Sequence, residues 1–277
     1  MTTSSTSNNH KASKVKKRWR LLFAAVFWLA VWQIASMVIG EEIFLVSPWK
    51  VLVTLVHLAQ QFDFWQTIAF SFSRIVLGFF LAMILGIGMA VISSQIIWFR
   101  VLLNPLTSII KSTPVASFII LALIWISSTN LSVFISFMMV FPIIYINTLS
   151  GILNTDPKML EMAQVFQMGM SKRILHIYLP DVMPFFVSAC SVSLGICWKS
   201  GIAAEVIGLP TGSIGEKLYQ AKIYLNTGEL FAWTAVIICI SILFEKVFLK
   251  LLQKLQNKLE GVSGSTTATS STGGSDS

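Results

Sequence analysis

A chain of 277 residues with 55% hydrophobic and only 12% charged residues, and a mean hydropathy of +0.76, is far more apolar than a soluble globular domain. Its net charge of +8 falls beside apolar runs with no nucleic-acid recognition motif next to it, which excludes nucleic acid as a partner. The composition predicts an all-α, polytopic membrane protein, because only helices satisfy their own backbone groups along such runs.

Residues 1–17 are polar and predict a disordered tail, residues 18–258 one transmembrane domain, and residues 259–277, rich in Ser, Thr and Gly, a second disordered tail. About 20 apolar residues are needed to cross a bilayer. Six stretches approach that length: 21–40, 71–93, 106–127, 131–150, 182–199 and 231–250. Lys111 and Pro114 interrupt the third, and the fifth ends in the sequence CWKSG. The first is longer than a signal-peptide core and lacks a following A-x-A site, so it is read as a retained span.

Lys11, Lys14, Lys16, Lys17, Arg18 and Arg20 precede the first span, and Lys246, Lys250, Lys254 and Lys258 flank the last. The positive-inside rule places both ends in the cytoplasm of a multi-pass cell-membrane protein. Arg100, Lys158, Lys172 and Arg173 then also fall on the cytoplasmic side.

Between the first two spans, residues 47–65 carry apolar side chains at helical spacing after a Ser-Pro start, which predicts an interfacial helix on the outer face. Farther along, Asp156-Pro157 is a helix start. Met159, Met162, Ala163 and Phe166 follow at i, i+3, i+4 and i+7, giving one apolar face on a helix too short to span. Gly169 is expected to end it, Ser171 to cap a second helix and Pro180 to stop that one. The apolar face serves either as a lipid anchor or as an insert for a groove on a soluble partner.

The outer connection 201–230 is punctuated by Gly201, Gly208, Pro210, Gly212, Gly215 and Gly228; it is either a cap over a path or an ordinary loop. Charged residues inside spans are candidates for function because burying them is costly. Lys199 and Glu205 would neutralise each other if Gly201 bent the chain, or would line a path; Lys199 or Lys111 in a path suits an anionic solute. Arg74 is expected to snorkel to the outer interface. Cys190, Cys197 and Cys239 lack metal-ligand spacing and read as small core hydrophobes.

There is no phosphate loop, H-E-x-x-H or G-x-S-x-G pattern, so the chain is not read as an enzyme and is expected to bind no cofactor or metal.

The strip EMAQVFQMGMSKRILHIYLP (161–180) resembles the cytoplasmic coupling loop of binding-protein-dependent ABC importer permeases of type I. That family's pattern runs Glu-Ala-Ala, three residues, Gly, nine residues, Ile-x-Leu-Pro. Glu161, Ala163, Ile177, Leu179 and Pro180 match it in register, while Met162 stands for an alanine and Gln167 for the glycine, with Gly169 two residues later. On the pattern alone, the helix before the turn is expected to run longer than usual.

FSRIVLGFFLA (72–82), KSTPVASFIILALIW (111–125), FPIIYINTLSGI (141–152) and CWKSGIAAEVIG (197–208) resemble, in order, landmarks of the nitrate, sulfonate and taurine branch. After Trp125 the branch often has Phe-Gly and this chain has ISS.

The resemblance implies the type I permease fold, with about six transmembrane helices and a cytoplasmic coupling-helix loop. Its implied partners are a second copy of the chain, a cytoplasmic ABC ATPase dimer carrying ATP and Mg, and an extracytoplasmic solute-binding protein. Glu161, Met162, Ala163, Phe166, Gln167, Gly169, Ile177, Leu179 and Pro180 would form the ATPase-coupling surface, with Lys111, Lys199 and Glu205 as path candidates. The cargo implied is a sulfonate-, nitrate- or taurine-like anion, or alternatively a pyrimidine precursor of thiamine. An ion-coupled secondary carrier and a non-transporting membrane scaffold are the rival readings; neither accounts for the ordered landmarks.

Overall fold

The computed structural model describes residues 5–41 and 43–268, with side-chain surroundings for residues 19, 20, 23–41 and 43–257. Every regular element among them is helical. In chain order they are α1 (Ser5–Ile39), α2 (Pro48–Ala59), α3 (Phe62–Gln95), α4 (Ile97–Ser112), α5 (Val115–Ala122), α6 (Ser128–Leu153), α7 (Pro157–Val165), α8 (Met170–Arg173), a π-helical segment (Ile174–Tyr178), α9 (Leu179–Gly208), α10 (Ile214–Ile223) and α11 (Thr227–Ala268).

Among the described residues, three helical runs, Phe62–Gln95, Ser128–Leu153 and Met170–Gly208, are long and apolar enough to cross a membrane. A fourth span is available if α4 and α5, bent by 105° at their junction, count as one broken crossing. The bend sits at Thr113, which is extended (ψ 130°) because the ring of Pro114 disfavours helical geometry in the residue before it. What reads in sequence as one span over 106–127 is therefore two helices, the first starting at Ile97. The first expected span corresponds to the shorter apolar stretch Phe23–Ile39 of α1, and the last to the apolar first half of α11.

Helical backbone also covers residues 5–17 and 259–268, where unstructured tails are predicted. Extending an existing helix needs no new nucleus. The remaining tail residues, 1–4 and 269–277, lie outside the described residues. Ser47 does cap α2, accepting the Lys50 N–H at 3.4 Å. That helix stops at Ala59, however, and Phe62–Trp65 begin α3, so the interfacial helix is shorter than 47–65.

The chain forms two compact units. One holds residues up to Phe64 together with Leu218–Ala235, the other Trp65–Lys217 together with Val236 onward. In the first, the link after α1 is pinned by side chains: Trp32 Nε1 donates to Val46 C=O at 3.1 Å, Ser36 Oγ to Leu45 C=O at 3.0 Å and Thr227 Oγ1 to Ile43 C=O at 2.9 Å. Phe64 and Trp233, both buried, pack with ring centroids 5.0 Å apart.

In the second unit α6 packs along α9, and a core of Ile110, Ile119, Ala122, Leu131, Ile135, Met139 and Ala204 joins α4, α5, α6 and α9. Phe72, Phe79 and Phe80 of α3 form an aromatic cluster with Trp198, Phe244 and Phe248. Cys190 and Cys197 are buried in this apolar interior and Cys239 is exposed, all three as free thiols. Arg74 donates to Thr129 C=O and, at 3.0 Å, to Asn130 Oδ1 at the start of α6, and lies 4.3 Å from the centre of the Phe70 ring.

Close approach of α3 to α6 depends on glycine, as helix contacts in membranes commonly do. A Cβ on Gly78 would stand 2.5 Å from Val133 C=O and 2.8 Å from Ser136 Cβ, whereas one on Gly88 would meet nothing within 4 Å. Backbone oxygen cannot swing aside. Gly78→Ala should therefore lower stability by about 1–3 kcal/mol, the usual cost of overpacking, while Gly88→Ala should leave it level or slightly raised. Thermal unfolding of both variants in the same detergent checks this pair.

Candidate functional site

The strip between α6 and α9 is built from a strong start and an unusual stop. Asp156 Oδ1 accepts the Lys158 N–H at 2.9 Å and Pro157 occupies the first helical turn, so α7 opens where the sequence predicts. It closes at Phe166 rather than at Gly169. Gln167 takes a left-handed conformation (φ 48°), its N–H donates to Gln164 C=O at 3.0 Å, and the Met168 N–H reaches Ala163 C=O at 2.9 Å. This is the paired bonding of a Schellman stop, with glutamine in the place glycine usually holds. The register of the family's glycine is thus preserved, and α7 does not run on.

Gly169, extended at φ −61° and ψ 152°, is the cap residue of α8, not Ser171; its carbonyl accepts the N–H groups of Lys172 and Arg173. Nor does Pro180 end a helix. Residues 170–208 form one helical run, with the π-helical turn at Ile174–Tyr178 ending two residues before Pro180. Proline lacks an N–H and its ring crowds the carbonyl four residues back; a widened turn at that place is how a helix accommodates it.

The apolar face predicted for α7 is split. Ala163 is fully buried, as is most of Ile177, whereas Met159, Met162 and Phe166 are exposed. Phe166 is 74% exposed, and Val165 (80%) and Met170 (66%), which the sequence reading passed over, join it on the same strip. Met170 follows the turn at Gln167, and no helical periodicity carries across such a turn. Glu161, Gln167 and Gly169 are exposed, and Leu179 and Pro180 are half-buried.

Lys111 is exposed in the last turn of α4, a favourable place for a cation beside free carbonyls. Lys199 and Glu205 do not approach each other. Helix α9 passes straight through Gly201 to Gly208, which leaves Lys199 exposed on one face and Glu205 fully buried on another. Glu205 meets Ser71 and the amide of Gly215 instead. The connection after α9 is consequently shorter than 201–230.

Ser188, Ser191 and Gly195 are exposed with Lys199 at i, i+3, i+7 and i+11, a stripe of small and polar residues along one face of α9. That spacing was visible in the sequence; the exposure of the stripe was not. Among the described residues, no group of three His, Cys, Asp or Glu side chains is placed to hold a metal ion.

Residues 82–259 match the family described as "Binding-protein-dependent transport system inner membrane component". The putative aliphatic sulfonates transport permease protein of Bacillus subtilis is 27% identical over 248 residues, which cover 87% of this chain and 88% of that protein. The taurine transport system permease protein of Escherichia coli is 26% identical, covering 84% and 89% respectively. A putative aliphatic sulfonates transport permease protein of Escherichia coli is 31% identical, covering 76% and 82%.

A left-handed backbone costs a residue with a side chain about 1–2 kcal/mol relative to glycine. Gln167→Gly should raise stability by about 1 kcal/mol, and Gln167→Val, branched at Cβ, should lower it. Paired thermal melts in detergent read both changes.

Proposed function

The chain belongs to the family of binding-protein-dependent transport inner membrane components and is an integral-membrane permease subunit; we propose that its strip at 161–180 is the joint on which a cytoplasmic ATPase acts. The observation that carries this reading is the exposed apolar strip, with Phe166, Val165 and Met170 each more than half open. Large apolar side chains collected at one place on a surface mark a partner or a lipid. An amphipathic helix entering a groove on a soluble protein uses this kind of anchor set, and Glu161 beside it supplies a charge for orientation.

ATP and Mg would reside on the ATPase, since this chain carries no phosphate loop. Closure of two ATPase subunits would draw two strips together and tip the spans from inward- to outward-facing, a rigid-body switch of the kind packed helices undergo. A lipid anchor alone has no means of delivering that energy. The distribution of Lys and Arg supports both termini and the strip lying on the cytoplasmic side, with an extracytoplasmic binding protein delivering solute to the opposite face.

The path would run beside the stripe of Ser188, Ser191, Gly195 and Lys199, between two copies of the chain. A cation exposed within a span must meet costly hydrocarbon, water in a path, or a second copy. Lys199 therefore supports an anionic cargo of the sulfonate class, in keeping with what the relatives from Bacillus subtilis and Escherichia coli are named for. Lys111 is the second cation offered to such a path.

Phe166→Asp and Glu161→Arg should each abolish ATP-dependent uptake in membrane vesicles while the protein remains inserted at normal amounts; unchanged uptake in both would refute the joint. Tagging the chain and identifying the proteins that purify with it tests the assembly directly, and an ATPase with a phosphate loop is the expected companion. Lys199→Gln should raise the KM for a sulfonate by roughly tenfold, the loss of one charge-assisted contact. Equal KM values with and without the lysine would remove the anion argument.

A further inference from the structure

Among the described residues Glu205 is the one fully buried side chain of the Asp, Glu, Lys, Arg and His set, and its surroundings account for it in an unusual way. Oε2 accepts the Ser71 hydroxyl at 2.7 Å and the Gly215 N–H at 3.3 Å. Ser71 Oγ in turn accepts the Ile214 N–H at 2.9 Å. Ile214 and Gly215 are the first two residues of α10, whose opening amides have no partner inside their own helix.

The remaining amides of that turn are satisfied locally. Ser213 N–H donates to Pro210 C=O at 3.2 Å, and the Glu216 N–H donates to Ser213 Oγ at 3.0 Å. The Glu216 carboxylate reaches back to the Gly212 N–H at 2.6 Å, a variation on the reciprocal Ser-x-x-Glu cap. Gly215 is required where it stands: a Cβ there would lie 2.5 Å from Val206 N and collide with Glu205 itself. On the other side, Ser132 of α6 lies beside Glu205, and its Oγ and Glu205 Oε1 are both buried without a hydrogen-bond partner among the described residues. Side chains of α3, α6 and α9 and the first amides of α10 thus converge on one carboxyl group.

We infer that Glu205 is a positioning residue that fastens residues 209–217 to α3 and α9, so that these parts move through the transport cycle as one block. Lifting the first turn of α10 would strand a carboxyl oxygen, a hydroxyl and two amides in apolar surroundings, each at a desolvation cost. Relative motion is cheaper at contacts between apolar side chains alone. The fastening is a property of this chain by itself; only its bearing on the cycle rests on the transport reading.

The experiment is hydrogen–deuterium exchange on the full chain in lipid nanodiscs, first alone and then with its ATPase, nucleotide-free and vanadate-trapped. The amides of Ile214, Gly215 and Glu216 should be strongly protected in all three conditions. Glu205→Ala should speed exchange at Ile214 and Gly215 by about tenfold or more, as loss of a buried hydrogen bond does, and should lower ATP-dependent uptake. Glu205→Gln keeps an oxygen to accept the Gly215 N–H and should retain both protection and uptake.

Should the alanine variant fail to fold, Ser71→Ala decides, and faster exchange centred on Ile214 is expected. Rapid exchange of the wild-type amides in any one nucleotide condition would overturn the single block. Unchanged protection in both Glu205→Ala and Ser71→Ala would overturn the fastening, and a glutamine variant as impaired as alanine would assign the carboxyl a role through charge rather than position. A failed transport reading would still leave the exchange shifts in the isolated chain, whereas failed fastening would leave wild-type uptake intact.

Discussion

A backbone N–H or C=O that enters hydrocarbon without a partner costs several kcal/mol, and the positions of breaks and caps in this chain follow from that penalty. Inside the long runs the helix itself supplies the partners. Wherever a helix must start, stop or pass a proline, another group has to stand in. At Thr113 the chain gives up helical geometry for one residue and turns through 105°; before Pro180 it widens into a π turn and keeps going. At the start of α10 the stand-ins are side chains from two other helices, Ser71 and Glu205. These are three solutions to one problem, chosen by what the neighbouring sequence offers.

The same penalty explains which parts of the structure were legible beforehand. Asp156-Pro157 and Ser47-Pro48 carry their caps within four residues, so the starts of α7 and α2 could be read directly. Stops were harder. Gly169 looked like the natural end of α7, but the bonds from Gln167 to Gln164 and from Met168 to Ala163 close the helix two residues earlier, and the left-handed residue they need happens to be a glutamine. Gly201 likewise suggested a bend because glycine permits one. Its actual use is space: a Cβ there would stand 2.7 Å from Ile75 and from the Ser136 hydroxyl, so the glycine lets α9 run straight and close. Sequence shows that a residue is permissive; it does not show whether the permission is spent on backbone angle or on packing.

Candidate function divided along a similar line. Chemistry-bearing residues were identifiable one by one, since a lysine or glutamate within an apolar run is conspicuous, yet their pairing was not. Lys199 and Glu205 sit six residues apart on a continuous helix and serve different surroundings, one exposed and one enclosed. The partner of Glu205 lies 134 residues away at Ser71, a separation no local pattern encodes. The exposed strip was found through its motif, but the exposure of Val165 and Met170 within it was not.

The helical run from Met170 to Gly208 has a mechanical corollary. It behaves as a crankshaft whose first end carries α8 and whose far end carries Glu205, with the π turn as an adjustable collar between them. An α-helix advances about 100° per residue, so one residue more or fewer within that collar would rotate the α8 end by roughly that angle about the shaft while leaving the packed length of α9 in place. The direction in which the strip presents itself can thus be set independently of the helix packing that holds the spans together.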